Sequence, residues 1–277
     1  MATSFVDEIE RVIAAGEVTL PVFNPTALRV QQELVKKEPD SRILEQLITG
    51  DQSLSSQVLR MANSAFYRGL TNIMTVKAAI VRLGMREIGR IVLLSASQNQ
   101  FRTTDPEINT VMKKLWQHSA GCALAANWLA KRCKFADLST QAFFAGLLHD
   151  VGKLFVLMVI EQVKRKNTTL TMTDALFLEA IDTLHTKQGY ALMQQWHMPE
   201  HYCLIVRDHH ELDVDTKDYL LLIVRLADMV CQKLGIALTP QPTLNLAATI
   251  EAGVFNLTEI DLAELEVTLE DTASLFT

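Results

Sequence analysis

A chain of 277 residues can bury a substantial core and is long enough for one large domain or two smaller ones. With 26 Lys+Arg against 32 Asp+Glu and a formal net charge of -6, it lacks the basic footprint of a nucleic-acid binder. Its apolar stretches, such as Leu154 to Ile160 and Tyr219 to Val224, fall well short of the ~20 residues of a bilayer span. Asp7, Glu8, Glu10 and Arg11 stand where a secretory signal needs an apolar run, so the expectation is a cytoplasmic protein with no membrane contact and no nucleic-acid partner.

Apolar residues recur at three- and four-residue intervals, and no strand-rich segment stands out, so the chain reads as all-α. An opening helix over Phe5 to Ala15 stops at Gly16. Leu20-Pro-Val-Phe-Asn-Pro25 forms an extended lead-in to a second helix over Thr26 to Lys37, which Pro39 breaks. Helices over Ser41 to Thr49, Ser53 to Asn63, Thr75 to Leu83 and Arg86 to Gln98 complete an N-terminal lobe spanning residues 1–104. Thr104-Asp105-Pro106-Glu107 then starts a new helix with a capping side chain, a proline at the first helical position and an acid in the first turn. That helix runs to Arg132, and further helices cover Ser139 to Lys164, Thr173 to Trp196, Pro199 to His210 and Thr216 to Leu234. Residues 105–235 thus form a second helical lobe. The connector Thr239-Pro-Gln-Pro242 leads to a C-terminal extension, residues 236–277, with a short helix and an acidic amphipathic one over Glu259 to Leu275.

All seven histidines fall between His118 and His210. Several occupy apolar stripes where a structural helix places a hydrophobe. His118 lies in the stripe Leu115, His118, Cys122, Ala125, Leu129. His149 and Asp150 flank another, in the run Ala145-Gly-Leu-Leu-His-Asp-Val-Gly-Lys153. His185 lies in Leu178, Ile181, His185, Gly189, Leu192, where the glycine leaves open space beside the imidazole. His210 follows Cys203 and Val206, with His209 adjacent, and Asp228 lies in Leu221, Val224, Asp228, Cys231. A buried carboxylate such as Asp228 needs a partner, because an ion loses its hydration in a low-dielectric interior. A divalent cation shared with His118, His149 and Asp150 meets that need. A single core histidine is ordinarily only hydrogen-bonded, but independent core histidines have no reason to fall once per successive helix. Imidazole with carboxylate suits iron, manganese, zinc or nickel, one ion or two.

Lys153, one turn after Asp150, is placed to pair with a metal-bound carboxylate or a substrate phosphate. Arg207 and Arg225 are candidates for balancing charge or ordinary helix-face cations. His197 and His201 flank the turn Trp196-His-Met-Pro199 and are read as surface residues. Cys122, Cys133, Cys203 and Cys231 match neither a zinc ribbon nor a redox pair in spacing and are read as free buried thiols.

These residues together resemble the HDOD family, a branch of the HD metal-phosphohydrolase superfamily related to the HD-GYP proteins. In the first lobe the similar segments are Leu20-Pro21, Ile48-Thr-Gly-Asp51, Leu59-Arg-Met-Ala-Asn-Ser-Ala-Phe-Tyr67 and Ala78-Ala-Ile-Val-Arg-Leu-Gly84. In the second they are Leu115-Trp-Gln-His118-Ser, Ala145 to Asp150, His185-Thr-Lys-Gln-Gly189, Trp196, Pro199, His209-His210 and Ala227-Asp228. The resemblance implies an N-terminal helical lobe packed on an HD-type helical bundle. It implies His118, His149, Asp150 and Asp228 as a basic metal set, extended by His185, His209 and His210 to a second ion.

Two departures matter. His209-His-Glu-Leu-Asp213 is not followed by Gly-Tyr-Pro, which argues against cyclic-dinucleotide hydrolysis. Lys114 stands where a third-metal glutamate is found in some HD-GYP proteins, which argues against a trinuclear site. The resemblance implies a stand-alone bacterial signal-transduction protein with an intact metal site, and a metal-dependent phosphohydrolase acting on a phosphate ester or nucleotide, with Asp150 and Lys153 as catalytic residues. The alternative is an inactive regulatory or scaffolding module that binds a signalling protein, as many HDOD members with degenerate ligands are thought to do. No receiver, GGDEF-type or membrane domain is fused, so any input is expected from a separate molecule.

Overall fold

The computed structural model describes residues 5–15, 25–34, 36–64, 67, 71–166 and 173–273, and among them there is no β-strand. The Gly16 stop, the lead-in over residues 20–24, Ala65-Phe66 of the asparagine-serine run and residues 274–277 lie outside the described residues. The helices are α1 (Phe5–Ala14), α2 (Pro25–Leu34), α3 (Ser41–Thr49), α4 (Gln52–Ala62), α5 (Val76–Leu83), α6 (Met85–Ser97), α7 (Pro106–Arg132) and α8 (Ser139–Leu148), followed by α9 (Val151–Lys166), α10 (Asp174–Gln195), α11 (Glu200–Asp208), α12 (Tyr219–Lys233), α13 (Ile250–Val254) and α14 (Glu259–Ala273). Short polar side chains set half of the starts. Asp40, Asp51, Thr75, Asp105, Thr173, Asp218 and Thr249 each accept a hydrogen bond from an amide of the first turn that has no partner within its helix.

The chain divides into two compact units, residues 1–20 with 103–269, and residues 21–102 with 270–277. In the smaller, α6 packs against α2, α4 and α5. Its core gathers Val30, Leu44, Ile48, Val58, Ala79, Ile88 and Ile91. Asn63, in the asparagine-serine run, explains why an amide is placed there. Its side-chain NH2 donates to the carbonyls of Leu59 and Ile73 at 2.8 Å each, and its oxygen accepts from the Ile73 amide at 2.7 Å. The side chain thus completes backbone hydrogen bonds that the irregular segment after α4 cannot make for itself.

In the larger unit α7 packs on α8 and α12, α9 on α10, α10 on α11, and α1 on α9 and α10. The stretch 136–166 is long and apolar enough, by length and composition, to cross a membrane, and 89% of its most apolar window is buried inside the fold. Two backbone crossings bring the helices unusually close. A methyl group at Gly146 would sit 2.6 Å from the Cys122 carbonyl oxygen, and one at Gly152 would sit 1.8 Å from that of His185. Glycine is required at both because the opposing backbone occupies the space of a Cβ.

Two sequence expectations need correction. The single helix expected over Ser139 to Lys164 is broken at His149-Asp150 into α8 and α9, where both residues form a turn and the Lys153 amide donates to the Asp150 carbonyl at 2.9 Å. The open space expected beside His185 at Gly189 is filled: a methyl there would lie 3.2 Å from Gly152 Cα and 2.6 Å from a Val206 methyl. Gly189 is a packing site for α9, a role that one helix's wheel cannot reveal.

Candidate metal centre

The α8–α9 break, the middle of α7 and α10, the turn after α11 and the middle of α12 bring their polar side chains to one buried locus of the larger unit. His149 and Asp150 are 0% and 1% exposed, and His118, His185, His209 and Asp228 are no more than 5% exposed. Each buried imidazole is oriented by its Nδ1. His118 Nδ1 donates to the Ile236 carbonyl at 2.7 Å, His149 Nδ1 to that of Gly146 at 2.8 Å and His209 Nδ1 to that of Val206 at 3.0 Å. His185 Nδ1 lies 3.0 Å from the carbonyl of Ile181 and 2.9 Å from that of Asp182. With Nδ1 protonated in this way, each Nε2 turns inward, the tautomer and aim that metal ligation uses.

The Nε2 atoms converge on Asp150. Its Oδ2 lies 3.2 Å from His118 Nε2 and 3.5 Å from His149 Nε2, and its Oδ1 lies 3.4 Å from His209 Nε2 and 3.8 Å from His185 Nε2. Asp150 Oδ2 also meets the Lys153 ammonium, whereas Asp150 Oδ1 and the Nε2 atoms of His185 and His209 are buried without a hydrogen-bond partner. On the Oδ1 side lone pairs therefore face lone pairs, an arrangement that only protons or cations relieve. Donor atoms form two groups, each within 4.8 Å: His118, Cys122, His149 and Asp228, and Asp150, His185, His209 and His210. Asp150 faces both groups, one oxygen toward each.

The electrostatics agree with neutral nitrogen donors at His149 and His185 and with a protonated His118 between the Asp150 and Asp228 carboxylates. Burial pushes His149 down to about 4 and His185 to about 3. Burial opposes a proton on His118 as well, but its hydrogen bonds to Asp150 and Asp228 prevail and hold it at about 10. Burial raises both carboxyls, yet Lys153 and His149 beside Asp150, and His118 beside Asp228, keep them well below the usual range. The buried Lys153 ammonium lies 2.9 Å from Asp150 Oδ2. The site is not sealed. A cavity of about 490 Å³ reaches Lys153, Asp182, His185, His209, His210 and Asp228.

Residues 20–212 match the HDOD domain. The chain belongs to the HDOD family. Solved structures share the fold: an HDOD domain protein of unknown function from Geobacter sulfurreducens (TM-score 0.74, 23% identity, 97% of this chain and 95% of that one) and a protein from Shewanella amazonensis SB2B provisionally named a metal-dependent phosphohydrolase (TM-score 0.76, 18% identity, 98% of each chain). A Marinobacter aquaeolei VT8 protein provisionally named for signal transduction also resembles it (TM-score 0.65, 20% identity, all of this chain and 62% of that one). An uncharacterized protein of Treponema pallidum (strain Nichols) is 24% identical over 232 residues, which are 82% of this chain and 43% of that protein. The HDOD chain thus spans less than half the length of this curated relative.

All seven residues expected to hold metal lie in the two donor groups of this HDOD protein. One detail is reversed from the helical wheel. Because α11 ends at Asp208, His209 and His210 leave the helix, so His209 is the buried partner and His210 is exposed. Arg225, a candidate for balancing substrate charge, is engaged in the fold: it donates to Glu251 at 2.6 Å and to the carbonyls of His209 and Glu211 at 2.9 and 2.6 Å. Exposed Arg207 pairs with its neighbour Asp208 at 2.6 Å. His197 and His201 are exposed. Cys122, Cys203 and Cys231 are free and buried, but Cys133, at the end of α7, is partly exposed.

The sequence reading missed three neighbours. Gln232 donates to Asp228 Oδ2 at 2.9 Å, Asp182 lines the cavity, and Cys122 stands in the first donor group. Helical spacing carried the signal in each case: Gln232 and Cys122 follow Asp228 and His118 by four residues, and Asp182 precedes His185 by three.

Proposed function

We propose that the larger unit is a divalent-metal phosphohydrolase site in a signal-transduction protein, acting on a phosphate ester or nucleotide. The observation that carries this reading is the set of unpartnered lone pairs on Asp150 Oδ1, His185 Nε2 and His209 Nε2, two of which belong to residues that line the cavity. One or two ions held there would supply Lewis acidity to phosphate oxygens and lower the pKa of a water. His118, His149 and Asp228 would hold one, His185, His209 and His210 the other, with Asp150 between them. Lys153 contributes from this chain alone: its ammonium, fixed by Asp150 and bordering the cavity, offsets the charge of a phosphoryl group. Arg225 and Gln232 act through others, Arg225 by anchoring the His209 carbonyl and Gln232 by orienting Asp228.

The test is elemental analysis of protein purified without chelators or a histidine tag, with His149→Ala and Asp150→Ala beside the wild type. Near-stoichiometric iron, manganese, zinc or nickel, lost in both variants, is expected, followed by hydrolysis in a screen of phosphomonoesters, nucleotides and cyclic dinucleotides. No metal after reconstitution with each ion would overturn the proposal. A regulatory reading draws on a separate observation: the smaller unit supplies none of the eight donors, and Met74 and Val81 in it are 78% and 80% exposed. Pull-downs that recover no protein partner under several growth conditions would count against that reading.

A further inference from the structure

Resting on the metal reading above, we propose that Cys122 is a thiolate donor to the ion held by His118, His149 and Asp228, so that this half of the centre takes a thiophilic ion of the zinc class. Cys122 lies one turn after His118 on α7, which places both side chains on the same face. Its Sγ is 3.6 Å from His118 Nε2 and shares a 4.8 Å neighbourhood with the donor atoms of His118, His149 and Asp228. The side chain is fully buried, and its backbone is pinned by the close approach of Gly146. An independent observation points at the same space. The buried Asp150 Oδ2 lies 3.2 and 3.5 Å from the Nε2 atoms of His118 and His149, so a second carboxylate faces the same donors.

The two halves of the centre differ in softness. The first offers two imidazoles, a carboxylate and a sulfur, and the second offers three imidazoles and a carboxylate. Thiolate favours zinc and comparable ions over magnesium, calcium or manganese, which prefer oxygen. Burial, with the Cys231 thiol and the Asp228 and Asp150 charges nearby, keeps the free Cys122 thiol protonated. On binding, the S–H bond breaks, the proton leaves to solvent, and the sulfur's electron pair forms the bond to the cation. No oxidant or reductant takes part.

X-ray absorption at the zinc edge of the zinc-loaded full chain tests the assignment. We expect a sulfur scatterer at about 2.3 Å in the wild type and in Cys231→Ser. Cys122→Ser should lose it, with zinc affinity falling at least ~10-fold. A zinc-loaded wild type with nitrogen and oxygen scatterers only would overturn the proposal while leaving the metal reading intact. A sulfur shell that survives in Cys122→Ser, or that vanishes in Cys231→Ser instead, would overturn the assignment to Cys122. A wild type that takes up no zinc, iron, manganese or nickel would remove the metal reading and this inference together. The wild-type spectrum decides even where a variant folds poorly.

Discussion

Gly152 shows how tightly single positions are held. An added methyl would collide with the His185 carbonyl, and the obstacle is backbone, which cannot rotate away. Gly152→Ala is expected to destabilise the fold by about 3 kcal/mol or more. Gly253, in α13, has nothing within 4 Å of its missing Cβ, so Gly253→Ala should be neutral or raise stability by about 0.4–1 kcal/mol. Denaturant midpoints of the two variants measured side by side check both statements, and equal losses would refute the backbone-crossing argument. Gln232 makes a different residue-scale prediction. Replacing it by Leu leaves one oxygen of the buried Asp228 without its 2.9 Å donor. Zinc titration should then show affinity weakened about 10–100-fold, and the metal-free chain should lose about 1–3 kcal/mol of stability to the unsatisfied carboxylate.

At the scale of the element, α7 carries the most: it spans 27 residues and presents both His118 and Cys122. Its start is held by Asp105, which accepts from the amides of Glu107 and Ile108 at 3.0 and 3.1 Å and pairs with Lys164 of α9 at 2.8 Å. Burial pushes the Asp105 carboxyl up, but Lys164 and the two amides outweigh it and hold it below 3.8. A carboxyl whose pKa is lower in the folded state stabilises fully above its unfolded pKa and loses that contribution as pH falls through the folded one. Asp105→Ala should therefore cost about 1 kcal/mol at neutral pH. The gap from the wild type should narrow on acidification below the carboxylate range, and a gap independent of pH would contradict the ionic part of the cap.

For the whole molecule, the buried centre joins α7, the α8–α9 break, α10, the turn after α11 and α12, so a bound cation would cross-link five segments of the larger unit. At an ion concentration 1,000 times its Kd, binding to the folded state alone stabilises by about 4 kcal/mol. Zinc is accordingly expected to raise the thermal midpoint, and a chelator to return it, with hydrogen-exchange protection increasing in α7 to α12. Zinc that leaves both unchanged would mean that these donors do not close around an ion.

Much of this was legible in the chain. The 3.6-residue apolar period marks the helices, and the capping residue Asp105 marks the start of α7, because these are local effects of backbone geometry. Histidines and acids on apolar stripes are conspicuous for an energetic reason: a polar group is expensive in a core unless something pairs with it. The break at His149-Asp150 was not legible, since Ser139 to Lys166 has the composition of one buried helix and only the packing of α8 on α7 and of α9 on α10 demands two. The roles of Gly146, Gly152 and Gly189 were hidden for the same cause, as each answers to a backbone from a distant part of the chain. The sequence by itself determined the helical class, the start of α7 at Asp105-Pro106 and the polar residues that needed partners. Only the tertiary structure decided which ring nitrogen each imidazole presents, that His209 rather than His210 is buried, and that Cys122 stands among the donors. Those depend on carbonyls and side chains brought together across helices, where local periodicity carries no information.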